Sequence, residues 1–144
     1  YYHDVGMFEN NLYEGIPDLI KDLHAEGVTL STATSKPEFS ASRIIEHFGL
    51  REYFTFIGAA DLAGTRDGKS AVIAHTLENL QASSQSHSIV MMGDRRHDVE
   101  GAREHGIDTI GVLWGYGTAE ELSTAGAIAL AERPRDAGDL LLSR

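Results

Sequence analysis

The chain has 144 residues, a formal net charge of −10 and no cysteine. Its length favours one domain, and its negative charge argues against binding of a nucleic-acid backbone. The lack of cysteine excludes disulfides and thiolate metal sites. No apolar run approaches the roughly 20 residues of a membrane span and no signal peptide is visible, so we expect a cytoplasmic protein without nucleic-acid or membrane partners.

Apolar periods and turn residues alternate along the chain and predict alternating helices and strands. In chain order, the predicted elements are a helix from Ile16 to Gly27, a strand over 28–33, a helix from Phe39 to Gly49, a strand over 54–57, a loop over 60–68, a helix around 73–80, a strand over 88–92, a short helix around 99–106, a strand over 109–112, a helix opened by the capping box 118–121, a short strand over 127–131 and a frayed helix over 139–142. This alternation predicts an α/β fold with a doubly wound parallel sheet.

The acidic run after the predicted strand 88–92 is the strongest functional signal. Gly93 ends that strand, and Asp94 and Asp98 follow four residues apart where a helix begins. In an open α/β sheet this is the carboxyl end of a strand, where ligands bind. Carboxylates gathered there are costly unless cations or donors compensate them, and a hard cation such as Mg²⁺ takes oxygen ligands. The alternative is a helix cap followed by an acid in the first turn.

Two further polar positions fall at the ends of elements. Thr34 and Ser35 follow the strand 28–33, where hydroxyl and backbone N–H groups can cradle a phosphate; the alternative is an ordinary helix N-cap. Lys69 stands at the start of the third helix, where a cation opposes the helix dipole; the alternative is a solvated lysine. The seven histidines show no metal-ligand spacing. The turn Gly115-Tyr116-Gly117 suits either a pocket mouth or a plain loop.

Taken in order, these motifs resemble the haloacid dehalogenase-like phosphatases, and most closely their phosphoglycolate phosphatase and 5′-nucleotidase-like branch. The matching segments are Gly6-Met7-Phe8-Glu9-Asn10, Tyr13-Glu14-Gly15, Thr34-Ser35-Lys36-Pro37, Gly64-Thr65-Arg66-Asp67-Gly68-Lys69, Gly93 to Asp98 and Gly115-Tyr116-Gly117. The resemblance covers nearly the whole chain. It implies that residues 1–14 are the tail of a helical cap and its return to the core, and that residues 15–144 are the C-terminal part of a Rossmann-like phosphatase core.

The resemblance also implies a role for each matched side chain. Thr34 would hold a phosphate oxygen with the help of the Ser35 N–H group, and Lys69 would offset charge on the phosphate and on the attacking carboxylate. Asp94 would bind Mg²⁺, and Asp98 would hold the ion through water or orient its ligands. The implied reaction is transfer of a phosphoryl group from a small phosphorylated substrate to an aspartate, followed by hydrolysis of the aspartyl-phosphate.

The chain departs from the family in one large respect, because it contains no Asp-x-Asp sequence. The family carries its nucleophile in such a motif on an N-terminal strand. By the resemblance, that strand would lie between the strands 28–33 and 88–92. We therefore expect an incomplete core that lacks this central strand and most of the helical cap. The strands beside the gap would have unpaired edges, so the chain alone is expected to be inactive and to fold poorly or aggregate.

The missing nucleophile leaves three explanations open. The first residue is Tyr1 rather than Met, so we expect an upstream segment to supply the nucleophile. A separate polypeptide could supply it instead, or catalysis has been lost. The leading hypothesis is a Mg²⁺-dependent phosphomonoester hydrolase acting on a small metabolite, either phosphoglycolate or nucleotide-like. The alternative is a non-catalytic phosphate-binding or regulatory α/β domain.

Overall fold

Strands and helices alternate through the computed structural model, which describes residues 3–8, 15–60, 68–82, 87–115 and 117–143. The strands are β1 His3–Phe8, β2 Thr29–Pro37, β3 Phe56–Ala60, β4 His87–Gly93, β5 Asp108–Val112 and β6 Ala129–Ala131. The helices are α1 Ile16–Ala25, α2 Glu38–His47, α3 Lys69–Leu80, α4 Arg96–Glu104, α5 Ala119–Ala125 and α6 Pro134–Leu142. A short 3-10 helix, Arg51–Tyr53, precedes β3.

The described strands form one six-stranded parallel sheet in the order β3-β2-β1-β4-β5-β6. The chain builds the sheet outward from β1 in one direction and then from β4 in the other. In such a sheet, the crevice at the carboxyl ends of the strands on either side of this reversal is the usual place for a ligand. β1 and β4 are therefore the strands that position a site.

Helices cover both faces of the sheet, and β4 shows the result most clearly. Val90 and Met92 are buried in a cluster with residues of α1, α2 and α6. Ile89 and Met91 point to the other face and pack with residues of α3 and α4. Because successive side chains of a strand alternate between faces, a strand covered on both faces is apolar throughout. The predicted α/β fold with a doubly wound parallel sheet is confirmed.

β1 occupies the position that the resemblance left open. His3–Phe8 pairs with β2 on one side and β4 on the other, and Phe8 is in register with Thr32 and Met92. The predicted gap with unpaired edges is therefore wrong, and the expectation of aggregation loses its physical basis. Local sequence gave little sign of this strand, since six residues with a central glycine become a strand only through pairing with both neighbours. The division into residues 1–14 and 15–144 stays a prediction.

The other predicted elements are present with shifted bounds. The last helix begins at Pro134, earlier than predicted, with the proline in its first turn. The strand predicted over 54–57 lies at Phe56–Ala60, because the 3-10 helix and an extended residue precede it. Most of the predicted loop, residues 61–67, lies outside the described residues. Within the described ranges, no helix is both long enough and apolar enough to cross a bilayer.

Thr109 in β5 offers a test of the core. Its side chain is 1% exposed, and its Oγ1 has no hydrogen-bond partner among the described residues. A buried hydroxyl without a partner costs roughly 1–3 kcal/mol, and Thr109→Val replaces it with a methyl group of the same shape. We expect Thr109→Val to raise the free energy of unfolding by about 1 kcal/mol, measured by urea denaturation.

Thr32 provides the matched control for this experiment. It is also 1% exposed, but its Oγ1 donates to the carbonyl oxygen of Gly58 at 2.9 Å. Thr32→Val should therefore lower the free energy of unfolding by about 1 kcal/mol. Changes of the same sign in both variants would contradict the assignment of Thr109 as a destabilising hydroxyl.

Candidate functional site

Two of the side chains predicted from the sequence, Lys69 and Asp98, contact each other at the carboxyl edge of the sheet, and each also binds main chain beside another predicted residue. Lys69 Nζ donates to the carbonyl oxygen of Ala33, next to Thr34, at 2.8 Å. The same Nζ lies 2.8 Å from Asp98 Oδ1. Asp98 Oδ2 in turn accepts the backbone N–H of Asp94 at 3.1 Å. The structure thus brings together residues from β2, α3, α4 and the end of β4.

Lys69 is buried at the first position of α3, so the alternative of a solvated lysine is wrong. Its side chain is 2% exposed and that of Asp98 is not exposed at all. Gly68 turns the chain into the helix with a φ of 88°, a conformation that favours glycine. On α4, a Cβ atom added at Gly101 would lie 2.9 Å from Lys69 Cγ. The close approach of α3 and α4 therefore leaves room for the lysine stem only because residue 101 is glycine.

Asp98 acts both as a helix cap and as the partner of Lys69. It is the third residue of α4, and its Oδ2 accepts the N–H groups of Asp94 at 3.1 Å and Arg95 at 3.2 Å. The alternative of an acid in the first turn is therefore correct for Asp98 but incomplete, whereas the N-cap residue of α4 is Arg95 and not Asp94. Gly93 makes this geometry possible, because a Cβ atom there would lie 2.3 Å from Asp98 Cβ. One carboxylate oxygen of Asp98 binds the loop that carries Asp94, and the other lies near Lys69. Asp98 can therefore orient both residues.

Asp94 follows β4 directly and is 4% exposed. Gly115 and Gly117 pack closely on it, and Tyr116, the middle residue of the predicted turn, lies outside the described residues. An added Cβ atom at Gly115 would lie 2.3 Å from Asp94 Oδ2, and one at Gly117 would lie 2.0 Å from the Asp94 carbonyl oxygen. Both glycines are therefore required by close approach to Asp94, which favours the reading of this turn as part of the site.

Thr34 lies in an irregular extension of β2, so the N-cap alternative for it is wrong. β2 continues to Pro37, and its pairing with β3 shifts register between Thr34 and Pro37. The helix α2 begins after Pro37, and no side chain caps its first turn. Thr34 is fully buried, and its Oγ1 accepts the backbone N–H of Lys36 at 3.2 Å. Ser35 is exposed beside it.

The described residues fit part of a Mg²⁺ site. They contain no group of three His, Cys, Asp or Glu side chains that could hold a metal ion. Mg²⁺ nevertheless commonly uses only one or two carboxylates, together with waters and a substrate phosphate. Asp94 suits the role of a direct ligand and Asp98 that of an orienting residue. The chemistry of the set, carboxylate oxygens beside a buried ammonium, matches a hard cation and a phosphate.

β1 contributes no carboxylate to this edge. The only acid within His3–Phe8 is Asp4, which is in register with Ser88 near the start of β4. At about 3.3 Å per residue, Ser88 lies roughly 16 Å along β4 from Gly93. Asp4 therefore lies toward the opposite edge of the sheet from Asp94.

The sequence reasoning missed the role of Glu121. We interpreted residues 118–121 as a capping box, and Thr118 Oγ1 does accept the Glu121 N–H at 3.1 Å. The Glu121 carboxylate, however, accepts Arg95 Nε and the backbone N–H of Arg96, each at 3.0 Å. The hydrogen bond from Arg95, followed by that from Arg96, holds the pKa of Glu121 below its ordinary value. The contact joins residues 26 positions apart, so no local pattern could have predicted it.

The buried Lys69–Asp98 pair gives a testable consequence for stability. Lys69→Met keeps most of the side-chain volume but leaves the buried Asp98 carboxylate without its cation. Removing one partner of a buried pair typically costs about 3–5 kcal/mol, and we expect a loss near the lower end because two N–H groups still bind Asp98. The double variant Lys69→Met/Asp98→Asn should lose less than the sum of the two single variants.

Urea denaturation of the four proteins measures this coupling. Lys21→Met is the matched control, because Lys21 is exposed on α1 and its replacement should change the free energy of unfolding by less than about 0.5 kcal/mol. Additive losses in the double variant would show that the ion pair contributes nothing specific.

Comparisons with known proteins identify the family to which the chain belongs. The sequence profile described as "Haloacid dehalogenase-like hydrolase" matches residues 2–112. The protein named tyrosine-protein kinase PtkA from Mycobacterium tuberculosis is 46% identical over 119 residues, which cover 83% of this chain and 40% of that protein. A 5′-nucleotidase from Pseudomonas aeruginosa is 40% identical over 117 residues, covering 81% of this chain and 52% of that protein.

A solved structure shares the fold closely. The crystal structure of a predicted phosphatase from Clostridium acetobutylicum superposes with a TM-score of 0.87 at 36% identity, covering 92% of this chain and 60% of that one. The chain thus spans about half the length of the relatives that it matches. Because the profile extends over most of the chain and includes Thr34, Lys69, Asp94 and Asp98, the chain belongs to the haloacid dehalogenase-like hydrolase family.

Proposed function

We propose that the intact protein is a Mg²⁺-dependent phosphomonoester hydrolase that acts on a small phosphorylated metabolite through an aspartyl-phosphate. The observation that carries this proposal is the buried set of contacts from Ala33 through Lys69 and Asp98 to Asp94. These contacts hold a buried ammonium and a buried carboxylate close to the main chain that leads into Thr34, which supports a role for them in phosphate binding. A phosphoryl group that gains charge during transfer is stabilised by groups held in this way.

Lys69 is the residue we assign to charge compensation. Its Nζ is fixed between Ala33 and Asp98, each at 2.8 Å, so the ammonium does not have to reorganise when a phosphate arrives. A phosphate dianion entering a chain with a net charge of −10 requires such a local cation. We assign Thr34, whose Oγ1 accepts the N–H of Lys36, to orienting a phosphate oxygen together with the Ser35 N–H group.

We assign Asp94 as the metal ligand. Asp98 holds the main chain of Asp94 by accepting its N–H group. When bound, Mg²⁺ neutralises charge on the transferred phosphoryl group. Asp98 accepts the N–H of Asp94 itself, so it fixes the position of the metal-binding residue through the main chain. The nucleophilic aspartate, and the residues that select the substrate, come from sequence beyond the motifs of this chain.

A second candidate is phosphoryl transfer to tyrosine, which is favoured by the 46% identity to a protein named tyrosine-protein kinase. The sequence from Ala63 to Ser70, Ala-Gly-Thr-Arg-Asp-Gly-Lys-Ser, differs from a nucleotide-binding Gly-x-x-x-x-Gly-Lys-Ser loop only at its first residue. In that loop the lysine reaches the phosphates and the serine hydroxyl binds Mg²⁺. Here Lys69 contacts Ala33 and Asp98, and Ser70 Oγ lies 3.1 Å from His105 Nε2. These contacts favour the hydrolase.

One pair of assays separates the two candidates. Release of phosphate from small phosphomonoesters and from phosphotyrosine is measured with Mg²⁺, and transfer from ATP to a tyrosine peptide is measured in parallel. We expect phosphate release without transfer from ATP. Transfer from ATP without phosphatase activity would overturn the proposal in favour of the kinase. Tight phosphate binding with neither activity would favour the non-catalytic alternative.

Asp94→Asn tests the metal assignment. Replacing the carboxylate with an amide removes the charge of the proposed direct ligand while keeping its shape. We expect kcat/KM to fall on the order of a hundredfold or more, as for other electrostatic groups in active sites, with a higher Mg²⁺ requirement. Asp108→Asn, at an exposed position in β5, is the matched control and should keep normal turnover. Near-normal activity of Asp94→Asn would contradict the assignment of Asp94 as a metal ligand.

Expression of residues 1–144 alone tests the origin of the nucleophile. We expect the isolated chain to lack phosphatase activity, because it contains no Asp-x-Asp and Asp4 lies at the wrong edge. The comparison is with a protein that includes an upstream Asp-x-Asp segment, assayed at equal concentration. Equal turnover by the two proteins would show that a carboxylate within residues 1–144 is the nucleophile.

A further inference from the structure

We propose that Glu121 is a positioning residue for the loop that carries Asp94, and that α5 thereby controls how well the site holds its metal ion. This inference rests on the proposed function. Glu121 is distant in sequence from the acidic motif and belongs to none of the matching motifs. Its carboxylate nevertheless reaches the two residues that follow Asp94.

Two carboxylates together hold three successive backbone N–H groups of this loop. Asp98 Oδ2 accepts the N–H of Asp94 and Arg95, at 3.1 and 3.2 Å. Glu121 Oε2 accepts the next N–H, that of Arg96, at 3.0 Å. Asp98 approaches from α4 and Glu121 from α5, so the loop is fixed from two different helices. The path of the chain after Asp94 therefore depends on both acids.

The same oxygen of Glu121 also accepts Arg95 Nε at 3.0 Å. This ion pair is partly exposed, with 42% of the Arg95 side chain and 26% of the Glu121 side chain accessible. Ion pairs at such positions contribute little to global stability. The Arg95 guanidinium instead keeps the Glu121 carboxylate oriented toward the loop, which is why we assign the pair to positioning and not to folding.

Gly117 connects Glu121 to Asp94 by packing. A Cβ atom added at Gly117 would lie 3.0 Å from Glu121 Oε2 and 2.0 Å from the Asp94 carbonyl oxygen. Gly117 therefore packs closely against both the Glu121 carboxylate and the Asp94 main chain. A displacement of Glu121 would reach Asp94 both through the Arg96 N–H and through this turn.

The consequence should be a change in metal affinity at nearly constant stability. Outer residues that orient metal ligands typically contribute 10–100-fold in affinity or activity. For Glu121→Ala we expect the Mg²⁺ dissociation constant to rise about tenfold or more, and for Glu121→Gln a smaller rise, because the amide oxygen still accepts one hydrogen bond. The KM for the substrate at saturating Mg²⁺ should change little.

The experiment uses the intact protein and Mg²⁺ itself as the probe. Isothermal titration calorimetry gives the Mg²⁺ dissociation constant, thermal unfolding gives stability, and phosphate release gives kcat and KM. Glu120→Ala is the matched control, since Glu120 is exposed in the same first turn of α5 and its loss removes the same charge. Arg95→Met removes the guanidinium but leaves the Arg96 N–H bonded to Glu121, so its effect should fall between those of Glu120→Ala and Glu121→Ala.

The outcomes separate this inference from the proposed function. Weakened Mg²⁺ binding in Glu121→Ala but not in Glu120→Ala supports positioning, whether or not wild type hydrolyses a phosphomonoester. Unchanged Mg²⁺ affinity in Glu121→Ala, or a loss matched by Glu120→Ala, overturns it even if the wild type is an active hydrolase. A wild type that binds Mg²⁺ without hydrolysis overturns only the proposed function, and one that binds no Mg²⁺ overturns both.

Discussion

The buried ion pair between Lys69 and Asp98 is the constraint on which the site depends. Taking an ammonium and a carboxylate out of water is costly, and their attraction offsets that cost only when the remaining hydrogen-bonding capacity is also used. Here the Ala33 carbonyl binds the ammonium, and two loop N–H groups bind the carboxylate. Ala33 lies in β2, Lys69 in α3 and Asp98 in α4, and the two N–H groups lie in the loop after β4, so the pair links all four elements.

The glycines of the site follow from the same constraint. For the pair to form, α3 must approach α4 at Gly101, and β4 must pass close to Asp98 at Gly93. At Gly115 the chain after β5 must approach the Asp94 carboxylate, where an added Cβ atom would lie 2.3 Å from Oδ2. Protein interiors are close-packed, so at these positions there is no room for even one extra methyl group. These glycines therefore mark the positions where the main chain passes close to a charged side chain. An interpretation of glycine only as a turn residue would miss this.

The sequence predicted those features that depend on neighbouring residues, and it did not predict those that depend on contacts between distant segments. Asp94 and Lys69 were identified because each lies at the junction of an apolar segment and a turn, and α/β topology brings such junctions to one edge. β1 was not predicted, since its pairing with β2 and β4 is the main reason that it is a strand. The contact of Glu121 with Arg95 could not be predicted from the sequence for a related reason. It depends on how α5 packs beside α4, which no spacing in the sequence records.

The position of β1 bears on how this chain relates to a complete enzyme. A sheet position holds one strand, and His3–Phe8 fills the one between β2 and β4. A nucleophile strand of the family type could join the sheet there only by displacing β1. The groups proposed to bind phosphate and metal do not depend on that exchange, because Lys69, Asp98 and Asp94 are held by contacts to β2, α3 and α4. The hydrolase and the non-catalytic phosphate-binding domain therefore share one preformed half-site and differ in whether a carboxylate occupies the central strand.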